Sequence, residues 1–169
     1  MITVGCQERF ELLRHHFAWL YDEYHFSLVF NEGDSSLYCR FILQSNDCRF
    51  RIDFDRGGFR IDLAMVPLSP GAVTNIPGLK WYSIEEVLDY LQQGSQDGSK
   101  VEDEFRLTGL SLDKKLTLVA TEYHPLWPQV IRLFSETEFE HSQEDLERFC
   151  QKRNEERERQ HAEWLQNTS

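Results

Sequence analysis

Apolar residues recur at steps of three and four positions between Gln7 and Tyr24, near the start of the chain. This spacing places them on one stripe of an α-helix, which turns once every 3.6 residues. Aromatic stripes at helical spacing usually pack into a core, so we predict a first helix that buries this stripe rather than one that lines a ligand site. The stripe consists of Phe10, Leu13, Phe17, Leu20 and Tyr24.

Beyond this helix the period changes to two, which is typical of strands with one buried face. Three runs alternate in this way: 37–43, 50–54 and 59–63. A shorter apolar run over 25–30 precedes them and ends at turn-forming residues 31–35, so it is a fourth strand candidate. The pattern predicts an antiparallel meander of three to four strands.

The loop at Arg56-Gly57 sets the register of the last two runs. As a two-residue turn it makes every core residue of one strand meet a core residue of the other. On the opposite face the same register places Asp53 beside Arg60 and Arg51 beside Asp62. Such pairs of opposite charge stabilise a sheet by roughly 0.2 to 1 kcal/mol each.

The hairpin before it has two alternative loops. A loop at 46–47 brings Arg40 beside Asp53, whereas a loop at 45–46 would place Arg40 opposite Arg51, a destabilising like-charge pair. We therefore predict the loop at 46–47.

Helical spacing returns after the meander. Ser83 and Glu86 have the spacing of a capping box, which predicts a helix that begins there and ends before Gly94. Two more helices are predicted around 112–123 and 130–134, with a break at two prolines between them.

Ser142 is predicted to cap the last helix, after a short acidic segment. Beyond Cys150 this helix is almost entirely charged and has little core face, so it either projects into solvent or docks on a second copy. If it docks, we expect a homodimer. Its candidate contacts are Leu146, Phe149 and Trp164.

A chain of 169 residues is on the scale of one domain, and 40% hydrophobic residues exclude a disordered chain. The predicted class is α+β: an N-terminal helix, the meander, a capped helix and C-terminal helices packed on one face of the sheet. We assign residues 1–140 to a single domain. Residues 141–169 form the charged C-terminal helix, which belongs to the same domain or projects from it.

The formal net charge is −11, which repels nucleic acid and anionic membranes and favours encounter with a basic protein partner. Four cysteines show no C-x-x-C spacing, and no apolar secretion signal opens the chain. Cys39 and Cys48 are also out of line in the chosen register, which argues against a disulfide between them. We therefore expect reduced thiols and a cytoplasmic location.

Candidate chemistry is sparse. His15 and His16 are adjacent and diverge on a helix, so no metal or cofactor is expected. An enzyme is the alternative: Asp53 or Asp55 would act with His124 in a site between the 67–80 loop and the sheet. Arginines around the aspartates favour a charge ladder over acid–base catalysis.

The proline-rich connection over 67–80 is long enough to be a contact loop, and the alternative is an apolar segment that covers one edge of the sheet. Together with the acidic segment it forms our candidate interaction surface. Its residues are Val73, Ile76, Leu79, Trp81, Glu136, Glu138 and Glu140.

The stretches 50–63 and 81–91 resemble a group of small uncharacterised bacterial proteins, similar to the immunity partners of polymorphic toxins. The resemblance covers about residues 7–95 and brings no catalytic residues with it. It implies a non-enzymatic intracellular protein-binding module, immunity-like in role. A small enzyme and a self-associating structural module are the alternatives.

Overall fold

The computed structural model describes residues 2–35, 37–66, 79–92, 107 and 109–167. The first half contains helices α1 (Val4–His16) and α2 (Ala18–Asp22), then strands β1 (Ser27–Ser35), β2 (Tyr38–Gln44), β3 (Cys48–Asp55) and β4 (Gly58–Met65). The second half contains β5 (Tyr82–Ser83), α3 (Ile84–Gln92), α4 (Leu112–Tyr123), a 3₁₀ turn (His124–Leu126), α5 (Trp127–Phe134) and α6 (Glu136–Asn167). The predicted α+β class is confirmed.

The five strands form one antiparallel sheet in the order β1-β2-β3-β4-β5. Both predicted registers are confirmed: Arg40 lies opposite Asp53, and Asp53 lies opposite Arg60. The short β5 strand extends the predicted meander by pairing with β4. Leu37 was expected to face inward, but it precedes β2 and its side chain is exposed.

The first helix differs from its prediction, because it starts at Val4 and breaks at Phe17. Residues two apart on a regular helix do not face each other. The break removes this restriction, and the rings of Phe17 and Trp19 lie in contact with centroids 5.9 Å apart. Leu13, Phe17 and Leu20 of the predicted stripe are fully buried.

Strand β1 continues through residues 31–35, where a turn was predicted. The pairing with β2 shifts between Glu32 and Ser35, so this end of the strand is irregular. Gly33 has a φ of +122°, in the region that glycine adopts far more readily than other residues. The glycine therefore permits a bent strand in place of a loop.

A disulfide joins Cys6 of α1 to Cys39 of β2, so the expectation of reduced thiols is wrong for this pair. The two cysteines are 33 residues apart and meet because α1 packs across β1 and β2. Cys48 and Cys150 are free and buried. Within the described ranges, no helix has both the length and the apolar character needed to cross a membrane.

The helices cover one face of the sheet, which we call the inner face. There Phe50 of β3 contacts Phe17 from the N-terminal helices at 5.6 Å and Trp127 of α5 at 5.9 Å. Phe17, Phe50 and Trp127 are all fully buried. Burial of each such side chain contributes roughly 1.5–3 kcal/mol, so these contacts fix the helices on the sheet.

Helix α6 begins at Glu136 and not after Ser142, so the predicted start is wrong. The chain turns at Ser135, whose backbone is extended and whose carbonyl accepts a hydrogen bond from the Phe139 amide at 2.9 Å. Phe139 is buried and stacks on Phe134, with centroids 5.3 Å apart. This contact draws the acidic segment into the helix, and residue 140 lies inside α6.

Candidate functional site

The face of the sheet opposite the helices, the outer face, carries the predicted charge ladder. Arg40 donates two hydrogen bonds to Asp53, at 2.7 and 3.0 Å. Arg51 and Arg60 converge on Asp62, at 2.6 and 2.9 Å. These hydrogen bonds raise the pKa of Arg40 and of Arg60 above the usual value. The outer face is therefore an internally bonded network.

The most buried member of this network is Asp62, which has no exposed surface. A buried carboxylate is costly unless it is paired, and two arginines pair it here. Trp81 adds a further contact, since the Arg51 guanidinium lies 4.5 Å from the centre of its ring. Sequence pairing predicted the Arg51–Asp62 pair, but it placed Arg60 beside Asp53 and did not predict the depth of Asp62.

The residues of the enzyme alternative do not come together. His124 lies on the inner side, stacked on Trp19 at 4.9 Å, with its Nε2 3.0 Å from Glu23. Asp53 points from the outer face and is bonded to Arg40. The Asp55 side chain is largely exposed. The sheet separates the proposed acid–base partners.

A groove of about 1660 Å³ opens at the β5 edge of the sheet, between β4, β5, α3, α4 and α6. Its base is apolar, because five of its lining residues are almost fully buried members of the core. These are Ile61, Tyr82, Val119, Tyr123 and Cys150. Helix α6 is held beside α3 by the Arg153–Asp89 ion pair and by contact of Phe149 with Tyr90 at 5.8 Å.

Charged side chains surround this apolar base unequally. Six carboxylates line the groove, against three Lys or Arg side chains. Of the cations, Arg60 is bonded to Asp62 and Lys80 lies 3.3 Å from Glu147. The groove is therefore strongly negative. Its carboxylates belong to Glu85, Glu86, Glu122, Glu147, Glu155 and Glu158.

Glu147 joins the acidic wall to the apolar base. Its carboxylate accepts hydrogen bonds from Gln143 at 2.9 Å and from the Tyr82 hydroxyl at 3.1 Å. The Gln143 bond, with further bonds from Lys80 and Tyr82, lowers the pKa of Glu147. Burial, together with the nearby Glu147 charge, raises the pKa of Tyr82. Glu147 is therefore ionised and Tyr82 neutral near pH 7.

Cys150 also lines the groove, but it is not a suitable nucleophile. Burial raises the pKa of its thiol to about 11, so the thiol stays protonated near neutral pH. Among the residues that the structure describes, no cluster of three or more His, Cys, Asp or Glu side chains could hold a metal ion. The arrangement provides binding surface and charge.

The predicted interaction surface divides between several places. Val73, Ile76 and the side chain of Glu136 lie outside the described residues. Trp81 lines the groove, while Glu138 and Glu140 are exposed on α6.

The predicted dimer contacts are also scattered. Leu146 was a candidate, but it is fully buried in the core of its own chain and cannot contact another copy. Phe149 packs on Tyr90, and Trp164 is 60% exposed beside His161. The three residues do not form one surface.

Sequence reasoning missed the acidic wall of α6. Glu147, Gln151, Glu155 and Glu158 follow one another at steps of four, four and three residues, which places them along one side of a helix. That spacing was available in the sequence. Which side of the helix faces a groove depends on packing against α3 and the sheet.

The chain matches no protein-family model, and comparison with curated proteins and with solved structures also gave no match.

Proposed function

We propose that this protein is a non-enzymatic binding module that receives a basic segment of another protein in the groove. The observation that carries the proposal is the excess of carboxylates, six against three cations, around an apolar base. Complementary charge steers a partner toward such a surface and excludes partners of like charge. The apolar base supplies the contact area on which affinity depends.

The charge of the whole chain supports the same class of partner. At −11 it disfavours nucleic acid and anionic lipid, and it accelerates encounter with a basic protein. The immunity-like role implied by the resemblance would make that partner a toxin. The product of a neighbouring toxin gene is therefore the first purified protein to test for a complex.

The test is affinity capture from lysate of the source cells with three forms of the immobilised protein. The groove variant, Glu155→Lys/Glu158→Lys, reverses two lining charges. The control variant, Glu156→Lys/Glu163→Lys, makes the same charge change on the same helix, at positions that do not line the groove. We expect wild type and control to retain one or more basic proteins that the groove variant loses. Equal capture by all three forms, or no basic protein at all, contradicts the proposal.

A further inference from the structure

We infer that the segment bound in the groove is a basic amphipathic α-helix of three to four turns. This inference rests on the proposed function and specifies the partner's conformation. Three features of the groove support it: its size, the short strand at its edge and the distribution of its carboxylates.

The first feature is size. A helix with side chains is about 10–12 Å across and rises about 1.5 Å per residue, so a cylinder of about 10 to 14 residues fills the same volume as the groove. The groove therefore has the volume of three to four turns of helix.

The second feature is the strand beside the groove. An extended peptide binds by adding a strand to an exposed edge, where its backbone hydrogen bonds supply the affinity. Here β5 is only two residues long, Tyr82–Ser83, and both pair with β4. β5 therefore offers few backbone bonds to a further strand, and the β4 residues that line the groove beside it, Phe59 to Ile61, span only three positions. The groove therefore favours binding through side chains.

The third feature is where the carboxylates lie. Glu147, Glu155 and Glu158 line the α6 wall, and Glu147 to Glu158 spans eleven residues, or about 16 Å of helix. Glu85 and Glu86 come from the first turn of α3, so negative charge also lies on another wall. A ligand that fits needs cations on more than one side and a single apolar stripe. Helical spacing gives that arrangement, whereas an extended chain alternates between only two faces.

The test uses two synthetic Leu/Lys peptides of identical composition and about 14 residues. One has Leu at helical spacing, and the other alternates Leu and Lys strictly. Dissociation constants are measured by fluorescence anisotropy, and helix content is followed by circular dichroism. We expect the helical peptide to bind at least about tenfold more tightly and to gain helix on binding.

The same charge-reversal variants locate the binding. We expect Glu155→Lys/Glu158→Lys to weaken binding of the helical peptide at least about tenfold, because two attractive charges become repulsive. Glu156→Lys/Glu163→Lys is expected to leave its affinity within about threefold, which controls for net charge.

The outcomes separate this inference from the proposed function. If both peptides bind equally and the groove variant weakens the binding of both, the inference of a helical partner is wrong, and the proposed binding of a basic segment is supported. If neither peptide binds, or if the groove variant leaves the dissociation constants unchanged, both proposals are overturned. A dimer that must dissociate before the peptide binds would place a second copy in the groove and overturn the inference.

Discussion

The outer face of the sheet and the groove both concentrate charged side chains, but they balance those charges differently. On the outer face Arg40, Arg51 and Arg60 are each bonded to Asp53 or Asp62 within the same sheet. In the groove six carboxylates outnumber three cations. Charges that satisfy one another build the scaffold, and under the proposed function the excess of negative charge in the groove attracts a basic partner.

Burial separates the two regions further. Asp62 has no exposed surface, so its two arginine partners are needed to offset the loss of hydration. Glu155 and Glu158 are exposed, so solvent stabilises their charge, and Glu155 also accepts a hydrogen bond from Gln151 at 2.9 Å. We therefore expect substitutions on the outer face to change stability most, and substitutions in the groove to change binding.

The largest effect is expected from Asp62→Asn. It removes the charge that holds Arg51, whose side chain is only 18% exposed, and we expect the free energy of unfolding to fall by about 3–5 kcal/mol. Urea denaturation measures it. The control is Asp55→Asn, at a largely exposed aspartate, where the change is expected to stay within about 0.5 kcal/mol. A loss below about 1 kcal/mol for Asp62→Asn would mean that the network does not hold the sheet.

The disulfide ties α1 to the sheet through two residues that do not line the groove. Replacing Cys6 and Cys39 together by Ser is expected to lower the free energy of unfolding by about 2–4 kcal/mol. Without the disulfide the unfolded chain is no longer closed into a loop between two residues 33 positions apart, so its conformational entropy rises. Peptide binding at the groove is expected to be unchanged. Adding a reductant supplies the control, because it should destabilise wild type but not the double variant. If the unfolding midpoint of the wild type is the same with and without the reductant, the prediction is contradicted.

Gly33 tests whether the bent end of β1 belongs to the stabilising region. A Cβ at this position would lie 2.4 Å from the Tyr38 carbonyl oxygen, and the φ of +122° is unfavourable for alanine. We expect Gly33→Ala to cost about 1–3 kcal/mol in thermal unfolding. Gly57→Ala is the matched control, because Gly57 also has a positive φ but a Cβ there meets nothing within 4 Å. Equal costs for the two variants would show that the close contact is relieved at little cost.

The hairpins were predictable because each turn leaves few registers, and charge pairing chose between them. Placing Arg40 beside Asp53 rather than Arg51 was enough to select the observed loop. Helix α3 was similarly marked by Ser83, directly before its first residue. These features depend on residues close together in the chain.

What the sequence did not reveal depends on packing between distant segments. The Cys6–Cys39 disulfide exists because α1 lies across β2, and no local pattern states that placement. The start of α6 was misplaced because Ser135 and Ser142 are both reasonable caps, and contact of Phe139 with Phe134 selects the earlier one. The groove joins residues from five elements. The composition therefore showed that the chain is acidic, but it did not show where the carboxylates gather.

The smallest effect is expected at Glu147, the groove carboxylate that Gln143, Lys80 and Tyr82 contact. Gln143, Lys80 and Tyr82 lower its pKa below the usual 4.5 in the folded chain, so its charged form favours folding. This contribution is present above the unfolded pKa and is lost as the pH falls through the folded value. Because the side chain is 37% exposed, we expect Glu147→Gln to cost less than about 1 kcal/mol near neutral pH.

The pH dependence decides between a stabilising role and a recognition role for this carboxylate. The deficit of Glu147→Gln relative to wild type should shrink as the pH falls below the usual carboxyl pKa, measured by urea unfolding at about pH 7 and about pH 4. Glu156→Gln, outside the groove lining, is the control and should show little change at either pH. A deficit that grew with acidity, or approached that of Asp62→Asn, would place Glu147 with the scaffold. A small deficit that disappears in acid leaves its charge available to a basic partner.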